Sequence, residues 1–240
     1  MSIELHDISK GVLVGRTRRP LFKHLDFWME DGEHVAVLGV KGSGKSMLLN
    51  LICGAEQVDD GWVECSSTVS WPIPNAAFLS GSSSVATNLR FVARLYGVDK
   101  AKFVSEVALL GELENHLNEK LANSPRFVRA QLAFAMSMWF DFDIYIFDEK
   151  VISTGKPFQA RAAQILEART KNKGVLLATS SPGIVRKYCD TAFVIDGGRA
   201  AHYTDMKAAL EHFKSLAKDT APVADVEVEE EDDDDDDTVL

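Results

Sequence analysis

Eight residues between a predicted strand and a predicted helix have the composition of a phosphate-binding loop. Residues 39–46 fit the pattern G-x-x-x-x-G-K-[S/T]. Glycines let successive backbone N–H groups converge on a triphosphate, whose negative charge also meets the positive end of the following helix. The pattern predicts an ATP site in which Lys45 reaches the β and γ phosphates and the Ser46 hydroxyl binds Mg²⁺. The predicted contact residues are Gly39, Val40, Lys41, Gly42, Ser43, Gly44, Lys45, Ser46 and Met47.

Two adjacent carboxylates end a second apolar run, about 95 residues further along the chain. Asp148 and Glu149 follow residues 144–147, all of which are apolar. We predict that Asp148 binds Mg²⁺ through water and that Glu149 polarises the attacking water as a general base. The adjacent acidic pair favours an ATPase over a nucleotide kinase or a GTPase. The alternatives are a Gly/Lys-rich surface turn for residues 39–46 and, for the acids, a strand that simply ends at solvent.

The distribution of charge separates a nearly neutral body from an acidic end. The 240 residues carry a net charge of −10, but eleven acids and no base lie between Asp225 and Leu240. Residues 1–224 therefore carry 26 basic against 25 acidic side chains, a net charge of +1. We expect no nucleic-acid partner. Three cysteines without paired or metal-ligand spacing indicate a reducing compartment, and neither a secretory leader nor a membrane-spanning segment is expected.

Hydrophobic periodicity predicts the elements that position these groups. Residues 2–9 and 21–29 alternate as half-buried antiparallel strands do, and residues 61–71 are predicted to form a second hairpin. Fully apolar runs at 144–147 and 175–178 are typical of parallel strands buried on both faces, and they suit an edge strand poorly. Helical spacing covers residues 46–53, 85–140, 157–169 and 181–188. The order of elements predicts an α/β fold with a mostly parallel central sheet.

These motifs, together with the turn Asp196-Gly197-Gly198-Arg199, resemble those of ABC-transporter ATPase subunits. More narrowly, residues 70–72, 88–97, 132–137 and 188–190 are similar to the ATPases of capsular-polysaccharide exporters, and the similarity spans about residues 2–204. The resemblance implies a P-loop NTPase fold, with a RecA-like core, an N-terminal antiparallel β subdomain and a helical subdomain at about residues 85–140. It divides the chain into an ATP-binding domain, residues 1–219, and an acidic tail, residues 220–240.

The resemblance also implies partners and a location. Two such subunits would enclose two ATP molecules against a pair of membrane-embedded permeases, at the cytoplasmic face of the bacterial inner membrane. Each ATP would then contact the phosphate loop of one subunit and the signature segment of the other.

Five positions depart from the pattern of the family. The expected signature segment reads Ser124-Pro125-Arg126-Phe127-Val128, in which proline removes an N–H and the next two side chains obstruct the approach of a γ-phosphate. Ser80 stands at the position of the Mg²⁺-sensing glutamine, and Ser180 at that of the switch histidine. Gly155-Lys156 replaces a glycine-aspartate pair, and the adenine-stacking aromatic near residue 12 is absent from residues 11–15. The segment 124–128 predicts a signature that is not functional, and the five departures together favour ATP binding over turnover.

A homodimer would then lack both signature segments, so we expect pairing with an intact paralogous ATPase. The alternative is a non-hydrolysing ATP-binding subunit that regulates or assembles the exporter. A stand-alone P-loop kinase is disfavoured because no acceptor pocket or lid arginine is evident. The tail is predicted to be disordered because it has few apolar residues and repels itself. It is expected either to act as a solubilising segment or to compete for basic surfaces in a salt-dependent way.

Overall fold

The computed structural model describes residues 2–73, 78–148 and 156–219. Within these ranges the chain forms a three-stranded antiparallel sheet, a five-stranded mostly parallel sheet and seven α-helices. This arrangement confirms the predicted α/β class. The predicted tail, residues 220–240, lies outside the described residues.

The antiparallel sheet contains β1 (Ile3–Val14), β2 (Thr17–Met29) and β4 (Asp60–Cys65), in the order β2-β1-β4. Strands β1 and β2 form one hairpin, which extends both strands that alternation predicted. The predicted hairpin at residues 61–71 is wrong. Only β4 forms there, and it pairs with β1, where Val63 lies opposite Leu5 and packs against the same apolar cluster.

The second sheet has the order β5-β6-β3-β7-β8. Its strands are β3 (His34–Leu38), β5 (Ile144–Asp148), β6 (Gly174–Thr179), β7 (Thr191–Asp196) and β8 (Arg199–Tyr203). The first four are parallel, and β8 is antiparallel to β7. The loops after β3, β5 and β6 therefore leave the sheet at the same edge, where the ligand sites of open α/β sheets lie.

Strand β5 stands at the end of this sheet, although its uniformly apolar sequence suits an edge poorly. Its outer side is covered by the segment that follows β4. The N–H of Ser70 donates to the carbonyl of Ile144 at 3.0 Å, and the N–H of Ile73 donates to that of Ile146 at 2.9 Å. The backbone of β5 is thus hydrogen-bonded on both sides, which reconciles its hydrophobic sequence with its terminal position.

The helices are α1 (Lys45–Ile52), α2 (Val85–Leu95), α3 (Lys100–Gly111), α4 (Arg126–Trp139), α5 (Lys156–Thr170), α6 (Pro182–Tyr188) and α7 (Met206–Asp219). Helices α2, α3 and α4 lie within the region predicted to be helical at residues 85–140. Two of them begin with side-chain caps: the Ser84 hydroxyl oxygen accepts from the N–H of Thr87, and the Asp99 carboxylate accepts from the N–H of Lys102. Helix α7 was not predicted.

Two clusters of buried apolar side chains hold the layers together. One lies between the antiparallel sheet, α1 and one face of the parallel sheet, and includes Phe22, Phe27 and Leu48. The other joins the opposite face to α2, α3 and α4, and includes Leu89, Phe103 and Leu132. None of the helices in the described ranges is both long and apolar enough to cross a membrane.

Candidate nucleotide-binding site

The predicted phosphate loop connects the end of β3 to the start of α1. Two of its glycines have backbone conformations that other residues rarely adopt, with φ of +83° at Gly42 and +103° at Gly44. The N–H of Ser43 donates to the carbonyl of Val40 at 3.1 Å, which closes a tight turn. Helix α1 begins without a side-chain cap. The N-terminus of a helix is a favourable position for an anion, because its first N–H groups have no partner within the helix.

Strand β2 packs directly against this loop. A Cβ atom added to Gly44 would lie 2.7 and 2.8 Å from two ring atoms of Phe22, and 3.1 Å from Leu21. Glycine is thus required at position 44 for two reasons, its positive φ and the proximity of β2. Alternation predicted the strand that contains Phe22 but gave no signal that its ring touches the phosphate loop.

The ammonium group of Lys45 is folded back over the loop. Its side chain is buried, and Nζ donates to the carbonyls of Gly39 at 2.8 Å and Val40 at 3.3 Å. A charged group held this way is positioned before a phosphate arrives, which reduces the entropic cost of binding.

The two serines of the loop differ in environment. Ser43 Oγ is buried and is one of three side-chain polar atoms in the described ranges that are buried without a hydrogen-bond partner. Such an atom carries a desolvation penalty that a ligand oxygen could relieve. Ser46 is exposed on the first turn of α1, and Met47 beside it is half-buried against the core.

Asp148 is the last residue of β5 and is half-buried at the same sheet edge as the loop. The register aligns Asp148 with Ala178 of β6, and Ala178 with Val37 of β3. Two strand spacings separate Asp148 from Val37, which is about 10 Å. The fold therefore brings together the end of β5 and the phosphate loop, as predicted. Glu149, the predicted general base, lies outside the described residues.

The residue at the switch-histidine position also lies at this edge. Ser180 follows the last residue of β6 and is exposed. Next to it, the N–H of Ser181 donates to Thr179 Oγ1 at 3.0 Å, which fixes the turn into α6. At the fourth departure, Gly155 lies outside the described residues and Lys156 begins α5.

The loop around Ser80 is fixed by Asn88, a buried residue of α2 that the sequence analysis did not identify. Asn88 Oδ1 accepts from the N–H of Ser80 at 2.8 Å, and Nδ2 donates to the carbonyls of Ser80 at 3.0 Å and Ser84 at 3.1 Å. The same loop bonds to the chain before α4, because the N–H of Leu121 donates to the carbonyl of Ser83 at 2.9 Å. Asn88 is a polar residue on the buried face of a predicted helix, and this is the sequence signal that could have identified its role in fixing the loop.

The segment at the signature position begins α4. Ser124 is buried, and its hydroxyl donates to the carbonyl of Lys120 at 3.0 Å, while Pro125 precedes the first helical residue. Arg126 and Phe127 are exposed at the helix start. The structure therefore places two large side chains at this helix end, as the sequence analysis predicted.

The position of the missing adenine-stacking aromatic lies on the β1–β2 hairpin. Val12 is half-buried there. On the neighbouring strand, the guanidinium of Arg18 packs over Gly11 and forms an ion pair with Asp59. The N–H of Gly11 and the Arg18 guanidinium lower the pKa of the Asp59 carboxyl.

Comparison of the sequence with known proteins identifies a family and several relatives. Residues 22–151, more than half of the chain, match the family model described as "ABC transporter". The ATP-binding protein BexA of Haemophilus influenzae is 30% identical over 216 residues, which cover 90% of this chain and all of BexA. The capsule polysaccharide export ATP-binding protein CtrD of Neisseria meningitidis serogroup B is 31% identical, with 89% of this chain and 99% of CtrD covered.

Solved structures support the same fold. An ATP-binding subunit of an ABC transporter superposes with a TM-score of 0.73 at 20% identity, covering 91% of this chain and 99% of that one. The ATP-binding cassette MJ0796, in a dimeric post-hydrolysis state with ADP and phosphate, gives a TM-score of 0.69 at 17% identity, covering 84% and 97% of the two chains. The chain therefore belongs to the ABC transporter family, as an ATP-binding ATPase subunit, which confirms the resemblance inferred from its motifs.

Proposed function

We propose that this chain is the ATPase subunit of an exporter of capsular or related cell-surface polysaccharide. The support comes from BexA and CtrD, which are about 30% identical over nearly their whole lengths, and the second of which is named for capsule polysaccharide export. The comparisons give no support to the non-hydrolysing alternative. By this proposal the chain works at the cytoplasmic face of a bacterial inner membrane.

In the proposed mechanism, the phosphate loop binds the triphosphate of ATP. Backbone N–H groups of residues 39–47 donate hydrogen bonds to the phosphate oxygens. The Lys45 ammonium gives up part of its hydrogen bonding to the loop carbonyls and donates to the β and γ phosphates. The Ser43 hydroxyl gains a phosphate oxygen as its partner. Glu149 orients and deprotonates the attacking water. The observation that carries this mechanism is the buried Lys45 ammonium, held 2.8 Å from the carbonyl of Gly39.

The residues at the sheet edge also fit Mg²⁺. Ser46 offers an exposed hydroxyl oxygen and Asp148 a half-buried carboxylate, and Mg²⁺ prefers oxygen ligands from one or two protein groups together with substrate phosphates. We propose that Ser46 binds the ion directly and Asp148 through water. When bound, Mg²⁺ would neutralise charge on the β and γ phosphates.

ABC cassettes work as pairs with membrane permeases, and we propose that this subunit pairs with an intact paralogous ATPase. The support is the start of α4, where Ser124 is turned inward and Arg126 and Phe127 extend into solvent. In a homodimer, two such segments would face the two phosphate loops. In a heterodimer, the paralogue would supply one unobstructed segment to Lys45 and Glu149 of this chain.

The test is Mg·ATP turnover by the purified full-length protein, alone and mixed with candidate partner ATPases. Lys45→Ala should abolish binding, whereas Glu149→Gln should retain binding and lose turnover. Lys102→Ala, an exposed change on α3, is the matched lysine control. Turnover that requires a partner would support the asymmetric pair. Turnover by the protein alone, abolished by Glu149→Gln, would support a homodimeric ATPase, and binding without turnover in every mixture would overturn the proposed hydrolysis.

A further inference from the structure

The β1–β2 hairpin carries a concentrated positive charge next to the phosphate loop. Residues 8–25 contain five arginines and lysines and no aspartate or glutamate. We call residues 10–23 the basic hairpin, and its cations are Lys10, Arg16, Arg18, Arg19 and Lys23. Four of them, Arg16, Arg18, Arg19 and Lys23, are exposed. On α3, by comparison, Lys100 and Lys102 directly follow Asp99.

Two of these five cations already form ion pairs with carboxylates of the described chain. Lys10 forms an ion pair with Glu56 at 3.2 Å, and Arg18 pairs with Asp59. These contacts fix the base of the hairpin and line a cavity of about 360 Å³ whose wall also includes Phe22 and Lys23. A polyanion that lies along the hairpin would therefore meet a strand pair held in place at its base, with Arg16, Arg19 and Lys23 exposed along it.

We propose that the acidic segment Asp225–Asp237 of the same chain binds the basic hairpin and competes there with the approach of ATP. The proposal rests on the proposed function, because the competition requires an ATP site at residues 39–47. Charge complementarity is the first argument: the segment carries eleven acids and no base, whereas the hairpin carries five cations, of which two are paired with Glu56 and Asp59. Ion pairs of this kind are individually weak when exposed, so the contact should be reversible and sensitive to salt.

The position of α7 is the second argument. This helix is joined to β8 by the Tyr203 hydroxyl and His212 Nδ1, 2.9 Å apart, and β8 contacts β2 through the rings of His202 and Trp28, whose centroids are 5.0 Å apart. Helix α7, which ends at the last described residue, Asp219, therefore packs on β8, and β8 in turn contacts the strand that bears the hairpin. The eighteen residues that follow it up to Asp237 can span at most about 60 Å, whereas the whole of β2 is about 40 Å long. The length of the chain after α7 is therefore sufficient for the acidic segment to extend along the hairpin.

The third argument links the hairpin to nucleotide binding. The ring of Phe22 occupies the space beside Gly44, and the N–H of Lys23 donates to the carbonyl of Gly198 at 2.9 Å. A segment rich in carboxylates on this surface would place negative charge beside the triphosphate site. It would oppose ATP by repulsion and by masking cations that attract the anion.

A double-mutant cycle on the full-length protein tests the contact. One arm replaces all six of Asp232 to Asp237 with asparagine, and the other replaces Arg16, Arg19 and Lys23 with glutamine. In the native hairpin background, tail neutralisation should tighten the Kd for Mg·ATP about fivefold at low ionic strength, the scale of a few exposed ion pairs. The effect should vanish in the hairpin variant and at high salt. The matched control replaces Arg94, Lys100 and Lys102 with glutamine and should preserve the effect.

Carbodiimide cross-linking gives a readout that does not depend on ATP. At low salt, the Lys23 amine should couple to tail carboxylates about ten times more than the Lys102 amine does, and the difference should disappear at high salt. A mixture of ¹⁵N-labelled and unlabelled protein identifies links within one molecule. Links only between molecules, or a tail effect that survives in the hairpin variant, would overturn the proposal. If cross-links form but no ATP binds, the proposed function fails while the contact stands.

Discussion

Lys45 Nζ donates to the carbonyl oxygen of Gly39 at 2.8 Å, so the cation at the end of the phosphate loop closes the loop onto its own first residue. A second bond reaches the carbonyl of Val40 at 3.3 Å, and the side chain is only 5% exposed. The Lys45 ammonium thus has a structural role in the free protein and a proposed role in binding phosphate when ATP is present.

Replacing Lys45 with methionine should therefore reduce the stability of the nucleotide-free protein. Two loop carbonyls lose a charged donor, and we expect the free energy of unfolding to fall by about 1–2 kcal/mol. The same variant should show no rise in Tm on addition of ATP. Chemical denaturation and thermal scans measure the two effects. Lys102→Met, at an exposed site, should change stability by less than about 0.5 kcal/mol, and an equal loss in both variants would contradict the role of the loop bonds.

The requirement for glycine at position 44 can be tested by comparison with Gly54, which also has a positive φ. Gly44→Ala combines strain at φ +103° with a Cβ placed 2.7 Å from the Phe22 ring, and should cost about 2–4 kcal/mol of unfolding free energy. Gly54→Ala has a similar backbone penalty at φ +71° but no atom within 4 Å of its Cβ, and should cost about 1 kcal/mol. The difference measures the packing of β2 on the loop. Adding Phe22→Leu to Gly44→Ala should recover part of that difference, and no recovery would argue against the contact.

Asp143, immediately before β5, links the segment that covers this strand to the start of the strand. Its carboxylate accepts from Thr68 Oγ1 at 2.6 Å and from the N–H of Thr68 at 2.9 Å, and these bonds hold its pKa below the ordinary value of 3.8. The resulting stability is present above about pH 4 and is lost as the pH falls through the lowered pKa. Because the side chain is half-exposed, Asp143→Asn should cost only about 0.5–1 kcal/mol at pH 6.

Unfolding measured from pH 6 to pH 2 checks this expectation. The wild type and Asp143→Asn should converge in acid. Thr68→Val should reduce the difference, since it removes the hydroxyl donor and leaves the backbone bond. A gap between wild type and variant that stays constant to pH 2 would mean that the carboxylate charge is not the cause.

Cys189 should be the least reactive thiol in the folded protein. It is buried after α6, and burial together with the nearby Asp190 raises its pKa to about 12. At pH 8, Ellman's reagent should react with exposed Cys65 and should modify Cys189 only after unfolding. Cys189→Ser should leave the fast phase unchanged and remove one thiol from the denatured total.

The raised pKa of Cys189 also makes the free energy of unfolding depend on pH above pH 9. The unfolded thiol ionises near its ordinary value of 9.0, whereas the folded thiol stays neutral. The stability contributed by Cys189 is therefore complete below pH 9 and is lost as the pH rises toward 12. A wild type and a Cys189→Ser variant with the same pH dependence above pH 9 would contradict this assignment.

The sequence by itself determined the features that depend on residues close together in the chain. Residues 39–46 carry the glycines and the lysine of a phosphate loop within eight positions, and the strand before them and the helix after them follow from short-range periodicity. The apolar run before Asp148 likewise predicted a buried strand with a carboxylate at its end. The structure confirms the two strands and the helix, because each depends on neighbours in the chain.

Only the tertiary structure decided the relationships between distant segments. Nothing in the spacing indicated that Phe22 lies against Gly44, that Asn88 fixes the loop at Ser80, or that β4 pairs with β1 and forms no hairpin of its own. The outer edge of β5 is covered by Ser70 and Ile73, more than 70 residues earlier in the chain. Such contacts depend on how the two sheets and α1 share one core, and a linear pattern of hydrophobicity fixes the buried face of a residue without fixing its partner.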